Sequence, residues 1–168
     1  MNPMQTIRIE KLTLNIGAGK DQKVLEKGIK LIKNITGIKG VTTITNKRIP
    51  TWGVRPGLPI GCKLTIRKGK VKELLKRLLA AKENKLKKSQ INDSTISFGI
   101  KEYIDIPEVE YDPEIGVMGL EVSVTLEKPG FRIKRRNIMK RKIPKKHAIK
   151  KEEGIAFLKN EFKVEVEE

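Results

Sequence analysis

Residues 12–21 read LTLNIGAGKD. Leu12, Leu14 and Ile16 alternate with Thr13 and Asn15, which is the period of a strand with one apolar and one polar face. Gly17-Ala18-Gly19 ends that alternation, and Asp21 stands where it can cap a helix starting just after it. The segment therefore predicts strand, tight turn and helix in immediate succession. Upstream, Ile7 and Ile9 alternate in the opposite phase, so the slip at Glu10–Lys11 predicts a bulge or a short lead-in.

Downstream, Val24, Leu25, Leu31, Ile32 and Ile35 recur at helical spacing, opposite Lys23, Lys27, Lys30 and Lys33. Gly37 is a helix terminator. Gly28 lies inside the helix at a cost of about 1 kcal/mol relative to alanine, which a close packing contact would explain. Val41 to Thr45 is β-branched at nearly every position and predicts a strand. Three prolines and three glycines make residues 48–61 (RIPTWGVRPGLPIG) a constrained loop. Cys62, Leu64 and Ile66 alternate into another strand. Lys70 to Lys88 predicts one long helix, with Val71, Leu74, Leu75, Leu78, Leu79 and Leu86 on one face. Residues 95–106 predict one or two strands around Gly99, Pro107 and Pro113 punctuate an acidic loop, and Leu120 to Leu126 is a last clean strand. Lys128 to Lys151 has too few apolar residues for a core of its own, and a short helix is expected through Ile155, Phe157, Leu158 and Phe162.

This order predicts an α+β fold: a mainly antiparallel sheet with helices packed on one face and the other face open to a partner. The expected layout is an α+β domain over 1–127 and a basic extension with a short helix over 128–168, joined to the same domain.

The 168 residues carry a net charge of +17, distributed in blocks. Residues 1–101 amount to +17, 102–127 to −8, 128–151 to +12 and 152–168 to −4. Charge sorted in this way calls for an anionic partner, and nucleic acid is the first candidate. A membrane surface is the rival, but no apolar run approaches the roughly 18–20 residues of a span, and residues 1–10 lack the apolar stretch of a secretory signal. Cys62 is the only cysteine, which excludes an intrachain disulfide and suits a reducing compartment. A cytoplasmic protein is expected.

Asn15-Ile16-Gly17-Ala18-Gly19-Lys20 imitates a phosphate loop, but the glycine spacing is wrong and Asp21 stands where a hydroxyl residue is required. Two readings remain: a turn whose bare backbone lets RNA come close, and a turn with no ligand role. Trp52, the only tryptophan, sits among Lys47, Arg48 and Arg55; it either stacks on a base or folds back to anchor its loop. Lys128 to Lys151 holds twelve basic residues and no acidic one, which points to RNA or DNA. Pro129, Gly130 and Pro144 argue against a continuous basic helix there, and Phe131 either stacks on a base or pins the start of the extension. His147 is the only histidine, so no catalytic constellation, metal site or cofactor site is expected. The acidic block 102–121 is expected to face solvent, pair with the basic extension or meet a basic protein.

Three segments carry a resemblance: 12–19 (LTLNIGAG), 57–67 (GLPIGCKLTIR) and 97–112 (SFGIKEYIDIPEVEYD). Together and in this order they resemble the universal ribosomal protein family number five of the large subunit. The short start MNPMQTIRIEKL and the extension LEKPGFRIKRRN resemble its archaeal and eukaryotic branch, and the lysine and isoleucine content suits an archaeal form. The resemblance implies a curved antiparallel sheet with helices on one side, and binding of 5S ribosomal RNA in the large subunit. It carries 5S contact to Asn15, Gly17 and Gly19, and further to Thr43, Thr45, Lys47, Arg48, Lys63 and Thr65. It makes the loop Pro50, Thr51, Trp52, Gly53, Val54, Arg55, Pro56, Gly57, Leu58 and Pro59 the part that touches transfer RNA in the peptidyl site. Bacterial members often have a lysine or arginine beside Ala-Gly-Phe where this chain has Thr51 to Val54, so only the loop's position carries over. The extension, through Arg132, Lys134, Arg135, Arg136, Lys140, Arg141, Lys142, Lys145 and Lys146, is expected on large-subunit ribosomal RNA. Neighbouring ribosomal proteins, including a head protein of the small subunit at an intersubunit bridge, complete the implied partners. No membrane is among them.

Overall fold

The computed structural model describes residues 2–167; Met1 and Glu168, which close the two ends of the sequence reading, lie outside the described residues. Strand β1 (Arg8–Gly17) runs through LTLNIG, and its pairing shifts register between Ile9 and Lys11, which decides for a bulge over a short lead-in at the phase slip. Helix α1 (Gln22–Thr36) is capped by Asp21, whose carboxylate accepts from the Lys23 N–H. It ends at Gly37, at φ 73°.

Strands β2 (Val41–Ile44) and β3 (Pro59–Ile66), helix α2 (Val71–Ala80), and strands β5 (Thr95–Ile100) and β6 (Leu120–Glu127) complete the main body. The sheet order is β2-β3-β1-β6-β5, and every neighbouring pair is antiparallel. Leu12, Leu14 and Ile16 face inward with Cys62 and Leu64, and with Val122, Val124 and Leu126, in one core with the apolar sides of α1 and α2. The fold is α+β with a mainly antiparallel, open sheet, as expected.

Several boundaries differ from the sequence reading. Strand β3 begins at Pro59, three residues before the alternation becomes visible; proline is tolerated there as the first residue of a strand. Residues 95–100 form one strand, which passes through Gly99 without a break. The long helix ends at Ala80, not Lys88. The chain turns through Glu83 and Asn84, both at positive φ, and Leu86 is buried from a short strand, β4 (Lys85–Lys87). That strand pairs in parallel with β7 (Glu165–Glu167), a partner near the far end of the chain.

The extension is also more firmly attached than its composition implies. Helix α3 is a single turn (Arg132–Arg135), and α4 (Lys151–Phe162) returns Leu158 and Phe162 to the main core, with Ile149 and Val164 beside them. Lys128 is 4% exposed, and its ammonium lies 2.8–2.9 Å from both carboxylate oxygens of Glu153.

Candidate nucleic-acid interface

The strand alternation that buries the leucines turns the other residues outward. Asn15 stands opposite Lys63 on one side and Glu121 on the other, and the same row continues to Val41 and Gly99 at the sheet edges. The next row is Thr65, Thr13, Ser123 and Ser97, and below it lie Lys11, Thr125 and Thr95. The upper rows are open, since a Cβ added at Gly17 or Gly99 would meet nothing within 4 Å, whereas the lowest row borders Phe131, Lys134 and Arg135 of the extension. The result is an open face of small hydroxyls, one amide and a few charges. Ser97 and Ser123 share a hydrogen bond of 3.1 Å, and the Asn15 amide donates to Glu121 at 3.0 Å, which leaves the Asn15 carbonyl oxygen free to accept.

The glycine turn lies at the upper end of this face, where Gly17, Gly61 and Thr43 are in register. The N–H groups of Ala18 and Gly19 both donate to the Ile60 carbonyl, at 2.9 and 3.1 Å. These two donors are therefore not free for a phosphate. What the turn offers a polyanion is close approach, with the Lys20 ammonium beside it.

The loop after β2 is a small closed unit. Ile49 and Val54 exchange two backbone hydrogen bonds, at 3.0 and 3.1 Å, around Pro50, Thr51, Trp52 and Gly53. Gly53 has φ 64°, and a Cβ on it would sit 3.6 Å from Lys20 Cδ, so the loop tip adjoins the glycine turn. Val54, not Trp52, anchors the loop: Val54 is 4% exposed and Trp52 is 70% exposed. The anchoring reading of Trp52 is thereby overturned. Arg55, Pro56 and Gly57 are exposed, and Leu58 and Pro59 are half-buried. Thr45 is not on the surface. Its backbone holds the loop base through Gly57 and Leu58, and its buried hydroxyl has no partner. Lys47 and Arg48 are exposed between Thr45 and the loop.

The sequence reading brought together Asn15, Gly17, Thr43, Lys63 and Thr65, and the structure places these on one surface. It missed Lys11, Thr13, Thr95, Ser97, Ser123 and Thr125 on the same face. The alternation marks each of them as outward, but only the strand order shows that they adjoin. In the extension, Arg135 bonds Glu10 and Glu127, each at 2.7 Å, and Arg8 shares Glu127, so Arg135 acts as a bolt. Arg136 bonds the Met139 carbonyl. Arg132, Lys134, Lys140, Arg141, Lys142, Lys145 and Lys146 are exposed and have no carboxylate partner among the described residues.

Two family models match this chain: one for ribosomal protein L5 over residues 2–55, and one for the C-terminus of the same ribosomal family over residues 59–157. A large ribosomal subunit protein uL5 of Nanoarchaeum equitans is 47% identical over 98% of both chains. The uL5 protein of Sulfurisphaera tokodaii is 45% identical over 100% of this chain and 96% of its own. That of Methanosphaera stadtmanae is 42% identical over 99% and 100%.

The chain belongs to the ribosomal protein L5 family.

These relatives are archaeal, as the resemblance implied, and the family is one of ribosomal proteins and not of enzymes. The acidic block of this L5 chain has a clear intramolecular role. Lys30 on α1 pairs with Asp112 and Glu114, and Arg77 on α2 pairs with Glu108 and bonds the Pro107 carbonyl. The hydrogen bond from Lys30 holds the Asp112 carboxyl below the usual carboxylate range, and the same bond raises Lys30. Among the described residues the block 102–121 makes none of the expected pairs with the basic extension; its pairs run to the helices, and Arg135 instead meets Glu127 just beyond the block. Among the described residues no group of three or more metal-ligating side chains converges. No helix among the described residues is long and apolar enough to cross a membrane. Cys62 is fully buried, and burial pushes its thiol up to about 11, which leaves it inert as a nucleophile.

Proposed function

We propose that this protein binds 5S ribosomal RNA on its open sheet face, anchors it in the central protuberance of the large ribosomal subunit in the cytoplasm, and reaches peptidyl-site transfer RNA with the Pro50–Pro59 loop. The observation that carries this reading is the uncovered face itself, with Lys11 and Lys63 on it and Lys20, Lys47, Arg48 and Arg55 around its upper end. None of these cations has an acidic partner among the described residues. Lys23, Lys27 and Lys33 on α1 also lack an acidic partner among the described residues, so charge alone does not select the side. The open, hydroxyl-rich upper rows of the sheet do, because A-form RNA is recognised through its backbone and 2′-hydroxyls and not through its narrow major groove.

The mechanism is binding without chemistry. Cations neutralise phosphates and release counterions, small hydroxyls meet the ribose 2′-OH, and the glycine turn permits close approach. The unpaired cations of the extension hold large-subunit ribosomal RNA. Neighbouring ribosomal proteins, with a small-subunit head protein among them, meet the remaining surface.

Filter binding to 5S RNA tests the reading. About six phosphate contacts should lower affinity on the order of a thousandfold between 50 and 200 mM salt. A flat salt response, or equal affinity for duplex DNA, contradicts it. The joint replacement of Trp52 and Arg55 by alanine should spare 5S affinity and weaken transfer RNA contact in assembled ribosomes. Equal damage to both assigns the loop to the 5S site.

A further inference from the structure

The extension and the residues before β5 line a half-open cavity of about 630 Å³ below the sheet face. This is within the range of small-ligand sites, about 300–1,000 Å³. Its apolar wall is formed by Phe131, Ile143, Ala148 and Ile149. That wall is pre-formed: Ile149 is 3% exposed, and the His147 ring meets Phe131 edge-on at 5.7 Å between centroids. His147 is fixed in turn, because its Nε2 lies 2.8 Å from the Pro129 carbonyl, which can only accept.

Lys134, Lys140, Arg141 and Lys142 contribute to the lining, and Asp93 and Ser94 complete it. The Asp93 carboxylate and the Ser94 hydroxyl have no partner among the described residues. A second cavity of about 380 Å³ shares Ser94, Phe131 and Lys134 with the first, and it is also lined by Lys11, Thr95 and Thr125 at the lower end of the open face. The two cavities therefore adjoin at Ser94, Phe131 and Lys134, at the lower end of the sheet face.

We propose that the larger cavity receives one unstacked nucleobase of ribosomal RNA. The base packs against Phe131 and the isoleucines, its phosphate meets the lysine and arginine rim, and Asp93 accepts from an exocyclic amino group. The ligand is then guanine, adenine or cytosine and not uracil, which has no amino group. A free phosphate would make no use of the apolar wall and would be repelled by Asp93. A duplex cannot enter. The inference rests on the RNA-binding reading above and deepens it.

The decisive variant is Asp93→Ala in the full chain. Asp93 is exposed, so the fold tolerates the change. If the carboxylate only repels RNA, its loss strengthens binding. The proposal requires instead at least a fivefold loss, in line with the value of one accommodated base. Ala148→Trp, which fills the cavity without changing charge, should give a similar loss with an unchanged salt slope. Base-specific chemical probing should show one nucleotide protected by the wild type and exposed with Ala148→Trp. Protection with 5S RNA alone places the base there, and protection only in the assembled subunit places it in the large ribosomal RNA. Tighter binding by Asp93→Ala overturns the proposal. So does full affinity of Ala148→Trp with unchanged probing in both settings, and so does loss of a neighbouring protein from the subunit with RNA contacts intact. If the wild type binds no ribosomal RNA at all, the reading beneath the proposal falls instead.

Discussion

At the residue scale, Gly28 shows how a locally unfavourable choice becomes necessary. A Cβ there would lie 3.1 Å from Cys62 Sγ and 3.2 Å from Ile16 Cγ2. Both neighbours are buried side chains on adjacent strands, 0% and 3% exposed, and have little room to yield. Alanine would regain about 1 kcal/mol of helix propensity but would incur overpacking of about 1–3 kcal/mol. Gly28→Ala should therefore lower stability by on the order of 1 kcal/mol. In a Cys62→Ala background, where the sulfur is gone and only the Ile16 contact remains, the same change should cost less. Denaturant titrations of the four proteins check this, and strict additivity would refute the contact. The sequence shows that Gly28 needs a reason, but the two atoms that supply it lie 12 and 34 positions away. Trp52 is the converse case. Composition left it open between core and solvent, and the cross-strand pair of Ile49 and Val54 decided the matter, because it places Val54 inside the loop base.

At the element scale, local signals were read correctly where a local cause operates. The Asp21 cap, the Gly37 stop and the bulge after Ile9 were all legible. The second helix was read too long because Leu86 falls on the same helical face as Leu75 and Leu79. A strand ending the chain, β7, captures that leucine in β4, and no signal within 70–88 records a partner so distant. The extension was underestimated for a related reason: a few well-placed contacts replaced a core. The chief one is Lys128 with Glu153. The hydrogen bond from Lys128, helped by the Lys150 N–H, holds the Glu153 carboxyl below its ordinary value. A depressed carboxyl contributes stability above its unfolded pKa of about 4.3, and that contribution is lost as pH falls through the folded value. Glu153→Gln should therefore cost on the order of 2 kcal/mol at neutral pH, less than for a fully enclosed pair because the carboxylate side chain is 41% exposed. The gap to wild type should narrow below about pH 4, as the wild-type carboxyl protonates. Melting curves across pH 3–7 measure it, and a gap independent of pH would assign the loss to something other than this pair.

At the scale of the whole molecule, the charge blocks of the sequence correspond to sides of the fold. The acidic block folds against α1 and α2 and engages Lys30 and Arg77, so part of the helical side is internally neutralised. Among the described residues the cations of the sheet face and of the loop beside it have no carboxylate partner, nor do those of the extension other than Lys128 and Arg135. The sequence showed the segregation and the alternation, but the register of five strands was needed to bring Lys11, Asn15 and Lys63 onto one face. That face is the centre of the account, and hydroxyl-radical footprinting of the protein with and without bound 5S RNA measures it most directly. The account predicts protection concentrated on Lys11, Thr13, Asn15, Lys63 and Thr65 and on the glycine turn, with the outer surfaces of α1 and α2 unchanged. Protection of α1 and α2 with the sheet face left reactive would contradict it.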